Sequence, residues 1–237
     1  MHAELNDFLA YLPTLLAGAR LTILLSLATF VLAIVIALLV ALGRLSRFWL
    51  LRMILTGYVE FIRGTPALVQ IYYIFYVLPV WGLTLNAALA GIVGLGLNYG
   101  AYLSEVFRGG IMSVPPTQRE AAKTIGLTYF QSLRFVILPQ AFRNVLPPTV
   151  NYFLSLFKDT SLLSVITLQE LTFSGLLLIS TTFNSFVVLT EIAIIYFAMC
   201  YPIALLSIYL EYRLHRRSRT PGWRAIWKRM MPGVTRA

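Results

Sequence analysis

Long uncharged stretches recur along the chain and are separated by shorter polar ones. The first, Leu21–Gly43, has 23 residues, enough for a helix to cross about 30 Å of hydrocarbon. Between Arg63 and Glu105 lie 41 uncharged residues, which is too long for one crossing and suits two that are joined near residues 78–86. We therefore predict an all-α polytopic membrane protein with five transmembrane helices. The apolar runs expected to supply them are 21–43, the two parts of 64–104, 146–168 and 186–210.

The composition supports this prediction. Hydrophobic residues make up 59% of the 237 residues and charged residues 12%, a balance too apolar for a soluble domain of this size. We expect one membrane domain over residues 1–212 and a basic amphipathic tail over residues 213–237. The single cysteine, Cys200, lies in an apolar run, so no intrachain disulfide is possible and no metal site is suggested.

Positive charge is concentrated on one side of the expected membrane. The loops after the first and third crossings and the tail after the fifth hold three, five and eight Lys or Arg residues, and the opposite loops hold none. The positive-inside rule therefore places the N-terminus outside and the C-terminus in the cytoplasm. The net charge of +10 reflects this orientation, so nucleic-acid binding is not expected.

The polar segment 113–143, which we call the knob, lies between two hydrophobic runs and carries a helix start signal. Thr117 and Glu120 have the spacing of a capping box, in which each side chain bonds the other residue's amide. Gly126 tolerates the left-handed conformation of a helix end. A short helix is therefore predicted from about Thr117 to Gly126.

A second knob helix is predicted directly after the first. Thr128 and Gln131 repeat the capping-box spacing, and Pro139 should stop this helix at Leu138. The knob is thus expected to be a compact pair of short helices.

At these residues the chain resembles the membrane permease subunits of bacterial ABC importers. Their signature is Glu-Ala-Ala, three residues, Gly, nine residues, Ile, one residue and Leu-Pro, and here Val136 stands in the Ile place. The resemblance covers roughly residues 10 to 212, and stretches around the knob resemble the polar amino-acid branch. The matching signature residues are Glu120, Ala121, Ala122, Gly126, Leu138 and Pro139, and the other matching stretches are 61–66, 105–113, 143–148 and 158–162.

This resemblance implies a fold, a mechanism and a set of partners. It implies a type I importer permease in the bacterial inner membrane, whose knob is the coupling helix that sits in a groove of a cytoplasmic ABC ATPase dimer. The signature residues would make that contact. It also implies a second permease, identical or related, and an extracytoplasmic binding protein that delivers an amino acid. ATP would be bound by the partner ATPase, and this chain would need no cofactor of its own.

Ionisable residues at membrane depth are costly and usually face the bundle interior or a wet cavity. Glu60 with Arg63, and Glu105 with Arg108, stand three residues apart on predicted helices. We expect each pair to form a local ion pair, with a role in transport as the alternative.

Four other assignments concern the substrate path. An amino acid carries a carboxylate and an ammonium, so its site needs a cation and an anion that face a cavity. Arg63 or Lys158 is a candidate for the carboxylate, and Asp159 or Glu191 for the ammonium or a basic side chain. For Glu191, a pairing with Lys158 and a place near the outer headgroups are the alternatives. The resembled family usually carries its acidic residue near Val187, so Glu191 departs from the family pattern. The acidic positions lean toward a cationic amino acid.

Two further patterns concern packing and membrane attachment. Small residues four apart in the third crossing let helices approach closely, either within the bundle or at a dimer seam. In the tail, Trp223, Ile226, Trp227 and Met230 share one helical face, as in a helix that lies on an anionic membrane. An ATPase contact and a disordered tail are the alternatives there.

The function classes narrow accordingly. None of the three lysines follows a glycine, so the chain has no phosphate-binding Gly-Lys-Ser/Thr loop and is not expected to be an enzyme. The predicted function is the permease subunit of an ATP-driven importer of polar amino acids. The alternatives are an ion-coupled carrier or channel independent of ATP, and a membrane scaffold without transport.

Overall fold

The computed structural model describes residues 2–214, with side chains from residue 8 onward. Every regular element in this part of the chain is helical. The elements are α1 (His2–Arg44), α2 (Trp49–Arg63), α3 (Ala67–Tyr72, extended by a π turn at Tyr73–Val77 and a 3-10 turn at Leu78–Trp81), α4 (Ala87–Met112), α5 (Pro116–Thr124), α6 (Tyr129–Ser132, followed by a π turn at Leu133–Ile137), α7 (Leu138–Asp159, followed by a 3-10 segment at Thr160–Ile166), α8 (Leu171–Thr182) and α9 (Ser185–Leu214).

The predicted all-α membrane architecture is confirmed. Within the described residues, α1, α4 and α9 are each long and apolar enough to cross a membrane. The pair Trp49–Arg63 and Ala67–Trp81 is bent by 106°, and the pair Tyr129–Ile166 and Leu171–Thr182 by 47°. Counting each bent pair as one span gives five, the predicted number. The hydrophobic pattern does not predict α8 as a separate helix.

Two helices extend past their predicted bounds. α1 starts at His2 instead of Leu21, and α7 starts at Leu138, before the predicted start of the fourth crossing at residue 146, and contains Pro147 and Pro148. A proline inside a membrane helix is tolerated where neighbouring groups satisfy the freed carbonyls. The first span covers 37 residues from Phe8 and is longer than the uncharged run that predicted it.

The first knob helix, α5, starts without a side-chain cap. Its first residue is Pro116 and its N-terminus has no capping side chain, so the predicted capping box of Thr117 and Glu120 is wrong. Pro116 takes a first-turn position, where its missing N–H is not needed, and this places Thr117 inside the helix. The predicted end is confirmed, since Gly126 follows the last turn with φ +81°.

The second knob helix, α6, is continuous with α7. Its capping box is confirmed, because the Thr128 hydroxyl accepts from the Gln131 amide at 3.4 Å and the Gln131 side chain accepts from the Thr128 amide at 2.9 Å. The helical run then continues through the π turn into α7, so the predicted stop at Pro139 is wrong. A π turn changes the hydrogen-bond register, and Pro139 falls in the first turn of α7.

The small residues of α4 serve packing within the bundle. A Cβ added at Gly96 would lie 2.8 Å from Leu32, and one at Gly100 would lie 2.6 Å from Ile36, both on α1. Gly91 is equally close to Leu163. These glycines therefore let α1 and the 160–166 segment approach α4, as the packing interpretation predicted, and their faces are covered within this chain.

We predict that Gly100→Ala destabilises the bundle while Gly109→Ala does not. The new methyl group at Gly100 would overlap Ile36, and overpacking of this kind costs about 1–3 kcal/mol. Gly109, on the same helix, has no heavy atom within 4 Å of an added Cβ. Thermal unfolding of both variants in one detergent tests this. Equal melting temperatures would contradict the assigned α1–α4 contact.

Of the two predicted ion pairs, one forms. Glu105 accepts from Arg108 at 2.7 Å and is also paired with Arg44 of α1, so the predicted pair is confirmed as part of a triad that joins the ends of α1 and α4. The expected pair of Glu60 and Arg63 is not present among the described ion pairs. Arg63 lies instead over an aromatic ring of α4.

Candidate functional site

The backbone break between α2 and α3 is the first feature of the site. Residues 64–66 are not helical, and the side chain of Gln70 donates to the Ile62 and Thr65 carbonyls at 2.8 and 3.1 Å. Asn98 of α4 donates in turn to the Gln70 side-chain oxygen at 3.1 Å. Irregular backbone at membrane depth is tolerated where protein groups satisfy it or where it lines a cavity. Both conditions hold at this break.

A cavity of about 500 Å³ opens beside the break. It is lined by residues of the break, by the middle of α4 and by the end of α7. Arg63 and Asp159, two of the predicted substrate-path residues, both line it, although they are far apart in the sequence. The fold therefore places one cation and one anion on the wall of a single cavity.

Tyrosine side chains position these two charges. The Asp159 carboxylate accepts from the Tyr99 hydroxyl at 2.7 Å, and the Arg63 guanidinium carbon lies 5.5 Å from the centre of the Tyr102 ring. The attraction between a guanidinium and an aromatic face holds Arg63 without neutralising it. Tyr152 packs edge-on against Tyr99, with ring centres 6.5 Å apart. The cavity thus has a basic end and an acidic end on an aromatic wall.

The other two predicted substrate-path residues lie elsewhere. Lys158 is exposed and does not line the cavity. Glu191 is 1% exposed, and neither of its carboxylate oxygens has a hydrogen-bond partner among the described residues. The expected alternative pairing of Glu191 with Lys158 does not form. Only Arg63 and Asp159 are brought together.

Sequence reasoning missed the residues that hold the site together. Gln70, Asn98, Tyr99 and Tyr102 support the break and the two charges, and none was singled out. A signal was present, because Asn98 is a polar residue in the middle of an uncharged span, where an unsatisfied amide is expensive. Its partner on another helix is not predictable from spacing.

The predicted coupling residues lie on α5, on the turn that follows it and at the start of α7. Ala122 is 3% exposed and is therefore buried. The other five are exposed: Glu120, Ala121, Gly126, Leu138 and Pro139.

The end of α5 is a Schellman motif. The Leu127 amide donates to the Ala122 carbonyl at 3.1 Å, and the Gly126 amide donates to the Lys123 carbonyl at 3.0 Å. This pattern requires the left-handed conformation that Gly126 adopts. The glycine of the signature therefore has a backbone reason, independent of any partner.

Large apolar side chains are exposed around this motif. Ile125, Tyr129 and Phe130 are 75%, 74% and 79% exposed. They lie close in sequence to the exposed signature residues Glu120, Ala121 and Gly126, whereas Leu138 and Pro139 line an apolar groove between α1, α4 and α7. Exposed apolar patches of this kind usually mark an interaction surface.

The knob is attached firmly to α7. The Asn144 side chain donates to the Ser113 hydroxyl at 2.8 Å, and Val114 is buried in a cluster with Ile137 and Ala141. A displacement of the knob would therefore carry the first turns of α7 with it.

Comparison with known proteins decides the family. The model of the protein family described as "binding-protein-dependent transport system inner membrane component" matches residues 33–220. The chain belongs to this family. Its membership confirms the resemblance inferred from the signature around Glu120 and Gly126.

Curated relatives in this family align along most of their length. The L-cystine transport system permease protein TcyB of Bacillus subtilis is 41% identical over 208 residues, which are 87% of this chain and 89% of TcyB. The glutamine transport system permease protein GlnP of Escherichia coli is 34% identical over 210 residues, covering 88% and 94% of the two chains.

Two solved structures have the same fold. A crystal structure of an amino acid ABC transporter with histidines matches with a TM-score of 0.83 and 34% identity, over 87% of this chain and 97% of that one. The methionine ABC transporter MetNI, in an inward-facing conformation, matches with a TM-score of 0.65 and 16% identity, over 86% and 96%. At that identity the second likeness concerns the fold alone.

Proposed function

We propose that this chain is the permease subunit of an ATP-driven importer of polar amino acids. The observation that carries the proposal is the cavity at the helix break, whose wall includes both Arg63 and Asp159. Arg63 would bind the substrate carboxylate, and Asp159 the ammonium. The relatives named for cystine and glutamine transport, and the neighbouring amino acid ABC transporter, support this class of substrate.

The acidic end of the cavity favours substrates that carry extra positive charge. Asp159 has a lone pair left after it accepts from Tyr99, and an aromatic wall attracts cations. A basic amino acid would therefore gain more from this site than an acidic one. This preference is part of the proposal.

Coupling would use α7 as its connecting element. The exposed signature residues Glu120, Ala121 and Gly126, with the apolar side chains beside them, would bind a groove of a cytoplasmic ABC ATPase dimer, which binds the ATP. α7 begins at Leu138 of the signature and ends at Asp159 of the cavity. When the ATPases close, the knob would move and α7 would shift the Asp159 end of the site.

The same proposal assigns the remaining partners and the orientation. A second permease copy or relative would complete the path, and an extracytoplasmic binding protein would supply the amino acid. The Lys and Arg distribution supports a bacterial inner membrane location with the N-terminus outside and the knob in the cytoplasm. The chain itself would have no ATPase site. The proposed tail helix lies outside the described residues.

Proteoliposome transport tests this function. The complex that co-purifies with the tagged chain would be reconstituted, and uptake of labelled glutamine, cystine, histidine and arginine measured with ATP or with a non-hydrolysable analogue. We expect uptake of at least one of them, and only with ATP and the binding protein. Equal flux with the analogue, or flux driven by an ion gradient alone, would support a carrier or channel instead.

A further inference from the structure

A second cavity lies between the knob and the adjoining ends of α1 and α4. Its volume is about 660 Å³, and it contains two basic side chains, Arg119 and Lys123, which stand one turn apart on α5. Arg119 also donates to the Ile111 carbonyl at 3.1 Å, which orients its guanidinium. Among the described residues that line this cavity, none is acidic. We call it the basic cleft.

An apolar groove adjoins the basic cleft. It has a volume of about 560 Å³ and lies between α1, α4 and α7, with Leu38, Phe107 and Phe142 in its walls. Thr149 is the one polar side chain among its described lining residues. Ile111 lines both the groove and the cleft. The two therefore share a wall at Ile111, and we call them together the concavity, which is basic at the knob and apolar along the spanning helices.

We propose that this concavity binds one anionic phospholipid. The phosphate would lie between Arg119 and Lys123, and an acyl chain would occupy the groove. Two facts select this ligand. The groove runs along α1 and α4, which are membrane-spanning, and its walls include Leu38 and Phe142, which are 47% and 64% exposed to the surrounding medium. Basic residues next to membrane-spanning helices attract anionic headgroups.

Other ligands fit only part of the concavity. A free phosphate would use the basic cleft and leave the groove empty. A protein segment that covered the groove would be apolar and would leave two basic side chains without an anion. A phospholipid uses both ends, and its binding requires only that the chain spans a bilayer, so the inference goes beyond the proposed function.

Native mass spectrometry tests the headgroup contact. The purified complex would be incorporated into nanodiscs of phosphatidylglycerol and phosphatidylcholine in equal amounts, released into mild detergent and weighed with its bound lipids. We expect phosphatidylglycerol to be retained, and the preference to fall about fivefold for each basic side chain removed, in Lys123→Gln and in Arg119→Gln. Arg143→Gln is the matched control, because Arg143 is an exposed basic residue of α7 that lines neither cavity.

A second pair of variants tests the groove. Leu38→Trp would fill the groove and should displace the retained lipid, whereas Leu39→Trp, exposed on the same helix but outside the groove, should not. Phosphatidylglycerol retention unchanged in Leu38→Trp would overturn the proposal, because the acyl chain would then not occupy the groove. A photoreactive residue at position 38 that cross-links to a protein subunit instead of lipid would also overturn it. These readouts do not depend on transport, so a failure here leaves the proposed importer function untouched.

Discussion

Replacement of Asp159 by asparagine should lower amino-acid uptake about ten- to a hundredfold at low substrate concentration. The change keeps the size of the side chain and the possibility of a bond from Tyr99, which donates to Asp159 at 2.7 Å. It removes the only negative charge among the described residues that line the cavity. A charge-assisted hydrogen bond contributes about 1.5–3 kcal/mol, which corresponds to this loss of affinity for an ammonium.

Glu191→Gln provides the matched control for this prediction. It makes the same chemical change at a carboxyl group that is 1% exposed, has no described hydrogen-bond partner and lies outside the cavity. Initial uptake rates would be measured over a range of substrate concentrations in proteoliposomes, with size-exclusion chromatography as a check on assembly. We expect Asp159→Asn to raise the concentration for half-maximal uptake and Glu191→Gln to leave it unchanged. The reverse pattern would transfer the site to α9.

The number of spans was predictable because bilayer thickness sets a minimum length for an apolar helix. The ends of the spans were less predictable. The uncharged run from Leu21 underestimates α1, since polar residues near a helix start do not stop it. We predicted that Pro139 would stop a helix. It lies instead in the first turn of α7, just after a π turn, and α7 continues through two more prolines. Hydrophobicity therefore gave the order of the elements, whereas backbone register determined their bounds.

The knob illustrates a competition between two helix start signals. Thr117 and Glu120 have capping-box spacing, yet Pro116 begins the helix and moves Thr117 inside it. At Thr128 no proline competes, and the predicted capping box forms. The left-handed conformation of Gly126 was predictable, because few residues other than glycine adopt it at the end of a helix.

The chemistry of the cavity was predictable, but the residues that line it were not. The need for one cation and one anion selected four residues, and the fold brings together Arg63 and Asp159. Their proximity depends on the bend of 106° between α2 and α3, which Gln70 and Asn98 stabilise through side-chain hydrogen bonds. Such contacts join distant parts of the chain, and no local pattern encodes them. Glu191 has the right chemistry but does not line the cavity.

Replacement of Gly126 by valine should reduce coupled transport more than about tenfold while leaving the membrane bundle assembled. Gly126 has φ +81°, a conformation that costs other residues about 1–2 kcal/mol and a β-branched residue more. No heavy atom lies within 4 Å of an added Cβ, so the effect would come from the backbone and not from a clash. The Schellman bonds to the Ala122 and Lys123 carbonyls would break, and the exposed end of α5 would lose its shape.

Gly126→Asn separates this mechanism from a loss of folding. Asparagine tolerates the left-handed conformation, so this variant should keep most of the transport that Gly126→Val loses. ATP-driven uptake, ATPase stimulation by the loaded binding protein and co-purification of the ATPase would be measured for both. We expect the valine variant to reach the membrane at normal levels with uptake reduced more than about tenfold, the effect of about 1.4 kcal/mol. Normal uptake with valine would show that the shape of this helix end does not matter for coupling. A similar loss in Glu120→Lys, which reverses a charge on the exposed surface of α5 without changing Gly126, would place the contact itself on the same helix.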